Sequence, residues 1–158
     1  MTRERIQTGR GCFDSYFSLD TSANYVTSTT DGGLQYKGRT SDNGLTSAMV
    51  ATTSGISAAG TAGYVEFYVK TQTLDGSDGW TFQVDSGSGF VTRLSELTGN
   101  SHATQKYHYA LDNNELVNGL RLRFQFTGGG ATDTDDRISV DQITVTVTPA
   151  STPVEVAL

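Results

Sequence analysis

A chain of 158 residues is the size of one ordinary domain, long enough to bury a single core unaided. Its 11 Lys+Arg against 17 Asp+Glu give a net charge of −6 and a pI near 4.7, a field that repels phosphate backbones and argues against a nucleic-acid partner. The single cysteine, Cys12, excludes an internal disulfide, and no window approaches the ~20 apolar residues of a membrane-spanning helix, so no membrane insertion is expected.

In chain order, the N-terminal MTRERIQTGRG is polar and has no apolar h-region. That predicts either a cytosolic or virion protein or a domain cut from a longer exported chain. Up to residue 62 the alternation is weak, but Asp31-Gly32-Gly33 and Asn43-Gly44 are turn chemistry, with strand candidates at 34–38 and 45–52. Residues 63–70 set Val65, Phe67 and Val69 on one face and Tyr64, Glu66, Tyr68 and Lys70 on the other. In LDGSDGW, Asp75 and Asp78 read as turn formers.

Residues 79–85 repeat the alternation with Trp80, Phe82 and Val84 inward, and Ser86-Gly87-Ser88-Gly89 turns the chain into Phe90–Leu94, a hairpin. Tyr107, Tyr109 and Leu111 mark a further strand. LDNNEL at 111–116 allows one helical turn at most, because Asn and Asp compete with the helical backbone. In 119–127, Leu120, Leu122, Phe124 and Phe126 alternate against Arg121, Arg123 and Gln125. The last strand follows an acidic loop, and the tail 149–158 reads as linker or edge segment. Seven or more strands with Gly-rich turns predict one all-β domain over 1–148, an antiparallel two-sheet β-sandwich of jelly-roll type.

The last strand raises a question of its own. In DTDDRISVDQITV, Asp141 has the parity of Ile143, Val145 and Val147, so its carboxylate is expected to point inward, whereas Ile138 and Val140 have the opposite parity and require a slip near Val140-Asp141. A buried carboxylate needs backbone N–H groups, a basic side chain or a cation, and calcium suits oxygen ligands. Asp133, Asp135 and Asp136 belong to a loop without EF-hand spacing.

No catalytic constellation is visible. His102 and His108 lack a metal-binding context, Cys12 has no neighbouring His, no nucleophile elbow or phosphate loop occurs, and Glu66 and Glu96 have no glycosidase motif behind them. A non-enzyme is expected. Sugar recognition needs flat rings and planar polar groups. The polar faces of 63–70 and 119–125 offer Tyr64, Glu66, Tyr68, Lys70, Arg121, Arg123 and Gln125, which form one patch if the two strands share a sheet.

The succession GYVEFYVKT, LDGSDGWTFQVDSGSG, YALDNNELVNGLRLRFQF and DRISVDQITV resembles the order of segments in MAM-like jelly rolls and related bacterial carbohydrate-binding-like modules, with concanavalin- or galactose-binding-like β-sandwich folds. Val140-Asp141-Gln142-Ile143 takes the place of the family's I-D-D-I, with Gln142 replacing the second acid, and the four cysteines of animal MAM domains are missing. The resemblance implies a structural calcium ion held by Asp14 and Asp141. It also implies a non-catalytic carbohydrate-binding or adhesion module, outside the cell or on its surface, whose partner is a polysaccharide or cell-surface glycan. The alternative is a self-associating subunit of a surface filament, surface layer or virion appendage.

Overall fold

Alternation of apolar and polar side chains on paired strands fixes which surface each strand buries. The computed structural model describes residues 2–4, 17–19, 26–28, 34–37, 49–53, 55–76, 78–127 and 137–150, with side chains for 52–53, 55–76, 78–126 and 137–150. Among them run β1 (Thr2–Glu4), β2 (Phe17–Leu19), β3 (Val26–Ser28), β4 (Leu34–Lys37), β5 (Met49–Thr53), β6 (Ile56–Ser57), β7 (Ala62–Gln72), β8 (Gly79–Asp85), β9 (Val91–Glu96), β10 (His102–Ala110), β11 (Asn118–Thr127) and β12 (Arg137–Thr148). Among the described residues a 3-10 turn, Asn113–Glu115, fills the place where a helical turn is expected.

The strands form two antiparallel sheets. The first runs β10-β7-β12-β4-β3, with β1 also on β12, and the second runs β2-β5-β11-β8-β9, with β6 also on β11. Strands β1 and β4 take successive stretches of β12, at 145–147 and 137–140. The expected all-β sandwich is the observed fold.

The core lies between the sheets. Val65, Phe67 and Val69 of β7 and Ile138, Val140, Ile143 and Val145 of β12 face Trp80 and Phe82 of β8 and Leu120, Leu122, Phe124 and Phe126 of β11, all fully buried. Phe67 sits at the middle, with ring centroids 5.0 Å from both Phe82 and Phe124 and 5.8 Å from Trp80. Each such ring contributes roughly 1.5–3 kcal/mol through burial. Trp80 is thus core, as its parity requires.

The last strand corrects one expectation. Its register shift falls between Asp141 and Thr144, after the acid and not before it. Asp141 therefore keeps the parity of Arg137 and Ser139, opposite Tyr68 on the outer face of the first sheet, while Ile143 starts the new inward set. The carboxylate does not point inward. The extra residue is Gln142, whose φ of 52° lies in the left-handed region, and the Asp141 Oδ1 accepts the Gln142 N–H at 2.7 Å. Cys12, Asp14 and the acids at 133, 135 and 136 lie outside the described residues.

Candidate functional site

Because β7 belongs to the first sheet and β11 to the second, the predicted patch is divided between two outer faces pointing away from each other. Tyr64, Glu66, Tyr68 and Lys70 are on one, Arg121, Arg123 and Gln125 on the other. Period-two alternation assigns a face to each strand but not a sheet, which long-range pairing decides.

On the first face, β7 lies between β10 and β12, with Glu66 opposite His108 and Tyr68 opposite both Lys106 and Asp141. The Glu66 Oε1 is 2.6 Å from Lys106 Nζ and 3.3 Å from His108 Nδ1. The hydrogen bond from Lys106, helped by His108 and opposed by partial burial, holds the Glu66 carboxyl below the usual carboxylate range. Tyr64 stacks on the His108 ring at 4.8 Å.

The second face is a row of planar polar groups. Across β5, β11, β8 and β9 the register sets Thr52, Arg123, Gln83 and Thr92 side by side, with Gln125 opposite Thr81 and Arg121 opposite Asp85. The Gln83 Nε2 donates to Gln125 Oε1 at 2.8 Å and approaches Thr81 Oγ1 and Thr92 Oγ1 at 3.3 and 3.4 Å. Among the described residues that leaves the Gln83 amide oxygen and the Gln125 amide nitrogen without a partner, an acceptor and a donor side by side. The Arg123 Nε donates to Thr52 Oγ1 at 3.2 Å, and its guanidinium carbon lies 3.5 Å from the centre of the Phe90 ring, with Arg121 5.1 Å from the same ring.

Asp85 builds the corner that carries Phe90. Its side chain is 1% exposed, and Oδ1 accepts the N–H groups of Gly87 and Gly89 at 2.7 and 2.9 Å, while Oδ2 pairs with Arg121. Gly87 and Gly89 have φ of 112° and 107°, open to glycine and strained for any other residue. The Gly87 N–H above all, then Gly89 and Arg121, holds the Asp85 carboxyl low against the opposing effect of burial.

Sequence reasoning missed Gln83, Asp85 and Phe90 as site residues. The parity of β8 puts Gln83 and Asp85 on its polar face, but only the β8–β11 register brings them beside Arg121, Arg123 and Gln125. Phe90 follows a turn, where alternation carries no information. His102 and Glu96 belong elsewhere: one Glu96 oxygen takes Trp80 Nε1, His102 Nε2 and Tyr107 OH at 3.3, 3.0 and 2.8 Å at the edge of the sandwich. Among the described residues, no three His, Cys, Asp or Glu side chains come together as a metal site.

No family model matches the chain, and no curated protein does. Solved structures do share its fold. A cleaved adhesin domain of Lys-gingipain from Porphyromonas gingivalis superposes with a TM-score of 0.60 at 15% identity, over 93% of this chain and 98% of that one. A mutant of the family 29 carbohydrate-binding module CBM29-2 gives 0.58 at 14% identity, over 98% and 99%. The CBM22-1 xylan-binding domain of Xyn10C from Paenibacillus barcinonensis gives 0.53 at 14% identity, over 95% of each chain.

Proposed function

We propose that the protein is a non-catalytic carbohydrate-binding module that takes a polysaccharide or cell-surface glycan on the outer face of its second sheet, outside the cell or on its surface. The observation that carries this reading is the row Gln83–Gln125–Arg123, whose amides and guanidinium are aligned by the β8–β11 register and by hydrogen bonds to one another and to threonines. Flat groups held in a row suit the hydroxyls of an extended sugar chain, and their prior ordering reduces the entropy lost on binding. The adhesin and carbohydrate-binding domains that share the fold support the reading, as does the resemblance of the sequence segments to MAM-like jelly rolls.

Affinity electrophoresis against a panel of neutral and acidic polysaccharides tests it. At about 1 kcal/mol per hydrogen bond, the double variant Gln83→Ala/Gln125→Ala should weaken retardation roughly tenfold or more. No retardation by any polysaccharide would overturn the reading.

A structural calcium at Asp14 and Asp141 is a separate proposal, supported only by the I-D-D-I resemblance. The outward Asp141 already serves as anchor for the bulge. If calcium is bound, chelator lowers the melting temperature and Asp141→Asn removes that response; an unmoved wild-type curve refutes it. A second reading, self-association, is favoured by one observation: among the described residues, β10 is a nine-residue strand at the end of its sheet, a ready template for pairing with another chain. Light scattering that shows only monomer at high concentration excludes it.

A further inference from the structure

Resting on the glycan reading of the second face, we infer that its ligand is an acidic polysaccharide, and that Arg123 takes the carboxylate of a uronic acid unit. The two guanidiniums of β11 are differently placed. Arg121 is paired with Asp85, a buried carboxylate whose other oxygen is spent on the Gly87 and Gly89 N–H groups. Arg123 has no carboxylate partner among the described residues: its Nε goes to a neutral threonine hydroxyl and its flat face to Phe90. Among the described residues its two terminal nitrogens have no hydrogen-bond partner, which leaves the edge of a guanidinium that matches a planar carboxylate with two parallel hydrogen bonds.

The surroundings favour an anion at that edge. Arg123 is half-buried, and burial, followed by the repulsion of Arg121 and opposed in part by the charge of Asp85, makes its charged form less favourable than in water. A ligand carboxylate offsets both effects. The adjoining donor and acceptor of Gln125 and Gln83 are neutral and suit the hydroxyls of the same or the next sugar, while Phe90 holds the guanidinium flat and restricts its rotamers. On a chain of net charge −6 this is a local cationic spot. A long polyanion would meet general repulsion there, so recognition must come from contact at Arg123 and not from long-range attraction.

The test compares polygalacturonate with the same polymer after reduction of its carboxyl groups, using the full chain and calorimetry or affinity electrophoresis at physiological salt. The expected result is roughly tenfold or more tighter binding of the acidic polymer, the scale of one charge-assisted bidentate pair. In Arg123→Gln that ratio should collapse toward one, with an unchanged melting temperature as the folding control. Arg123→Lys should give an intermediate ratio, since an ammonium keeps the charge and loses the fork. Equal or tighter binding of the reduced polymer by the wild type overturns the acidic assignment and leaves the glycan reading standing. The acidic assignment also fails, with the glycan reading intact, if neither polymer binds and a neutral polysaccharide does. Preference for a sulfated dextran over polygalacturonate overturns the carboxylate assignment. Binding to no polysaccharide at all takes the underlying reading down as well.

Discussion

Asp85 shows how much one buried carboxylate can organise. It fixes the Ser86–Gly89 turn through two N–H groups, neutralises Arg121 and so sets where Phe90 lies beneath Arg123. Its folded pKa is depressed, so its stabilisation is fully present above the ordinary aspartate pKa of about 3.9 and is lost as pH falls through the folded value. Asp85→Asn should therefore cost stability at neutral pH, by ~2–3 kcal/mol for the charge-assisted bonds, and should flatten the acid limb of a urea-denaturation series below about pH 5. A variant with the wild-type acid limb would mean that another group governs it. The contrast with Asp141 shows what alternation can and cannot tell. Both acids lie on polar faces, yet parity counted back from Ile143 assigns Asp141 inward, because a bulge is visible as a slip in parity while the side of the acid on which it falls depends on φ at Gln142. For Asp85 the parity holds, and its role follows only from the turn it caps.

The element most dependent on polar chemistry is the open side of the sandwich between edge strands β9 and β10. The strands themselves are legible in the sequence from residue 63 onward, since their apolar sets are regular. The closure of this side is not, because its residues contact across the two sheets. Tyr107 and Tyr109 point inward from β10 and meet Glu96 and Glu115 at 2.8 Å each, and the buried Glu115 also takes Arg93 Nε at 2.8 Å and the Asp112 N–H at 2.9 Å. Burial first, and the adjacent carboxylates second, push both phenols well above the ordinary tyrosine range. A phenol that keeps its proton to higher pH when folded gives stability that is complete below the unfolded pKa of about 10 and is lost as pH rises through the folded value. Urea midpoints should thus fall steeply between about pH 10 and 12, and less steeply in Tyr109→Phe; a flat alkaline limb in the wild type contradicts the assignment. Glu115→Ala should cost ~3–5 kcal/mol, because it leaves the half-buried Arg93 with only its longer 3.7 Å pair to Asp112 and takes the acceptor from Tyr109 and from the Asp112 N–H.

At the scale of the molecule, the two outer faces make different offers to a ligand, and this follows from topology. On the first, the Glu66 oxygen nearest its neighbours is already engaged by Lys106 and His108, and the Tyr64 ring rests on His108. A sugar there would have to displace contacts the protein makes with itself. On the second, the Gln83 and Gln125 amides and the Arg123 edge keep hydrogen-bonding capacity after their bonds to the described residues are made. Substitutions on separate faces share no partners and should act independently. Tyr68→Ala and Glu66→Ala are therefore expected to change glycan affinity less than about twofold, whereas Gln125→Ala weakens it severalfold and the combination with Tyr68→Ala adds nothing further. Calorimetry on the wild type and these variants with a polysaccharide that the wild type retains decides the matter. If Tyr68→Ala abolishes binding while Gln125→Ala leaves it intact, the site is on the first face, and the polar row of the second sheet is an ordinary strand exterior.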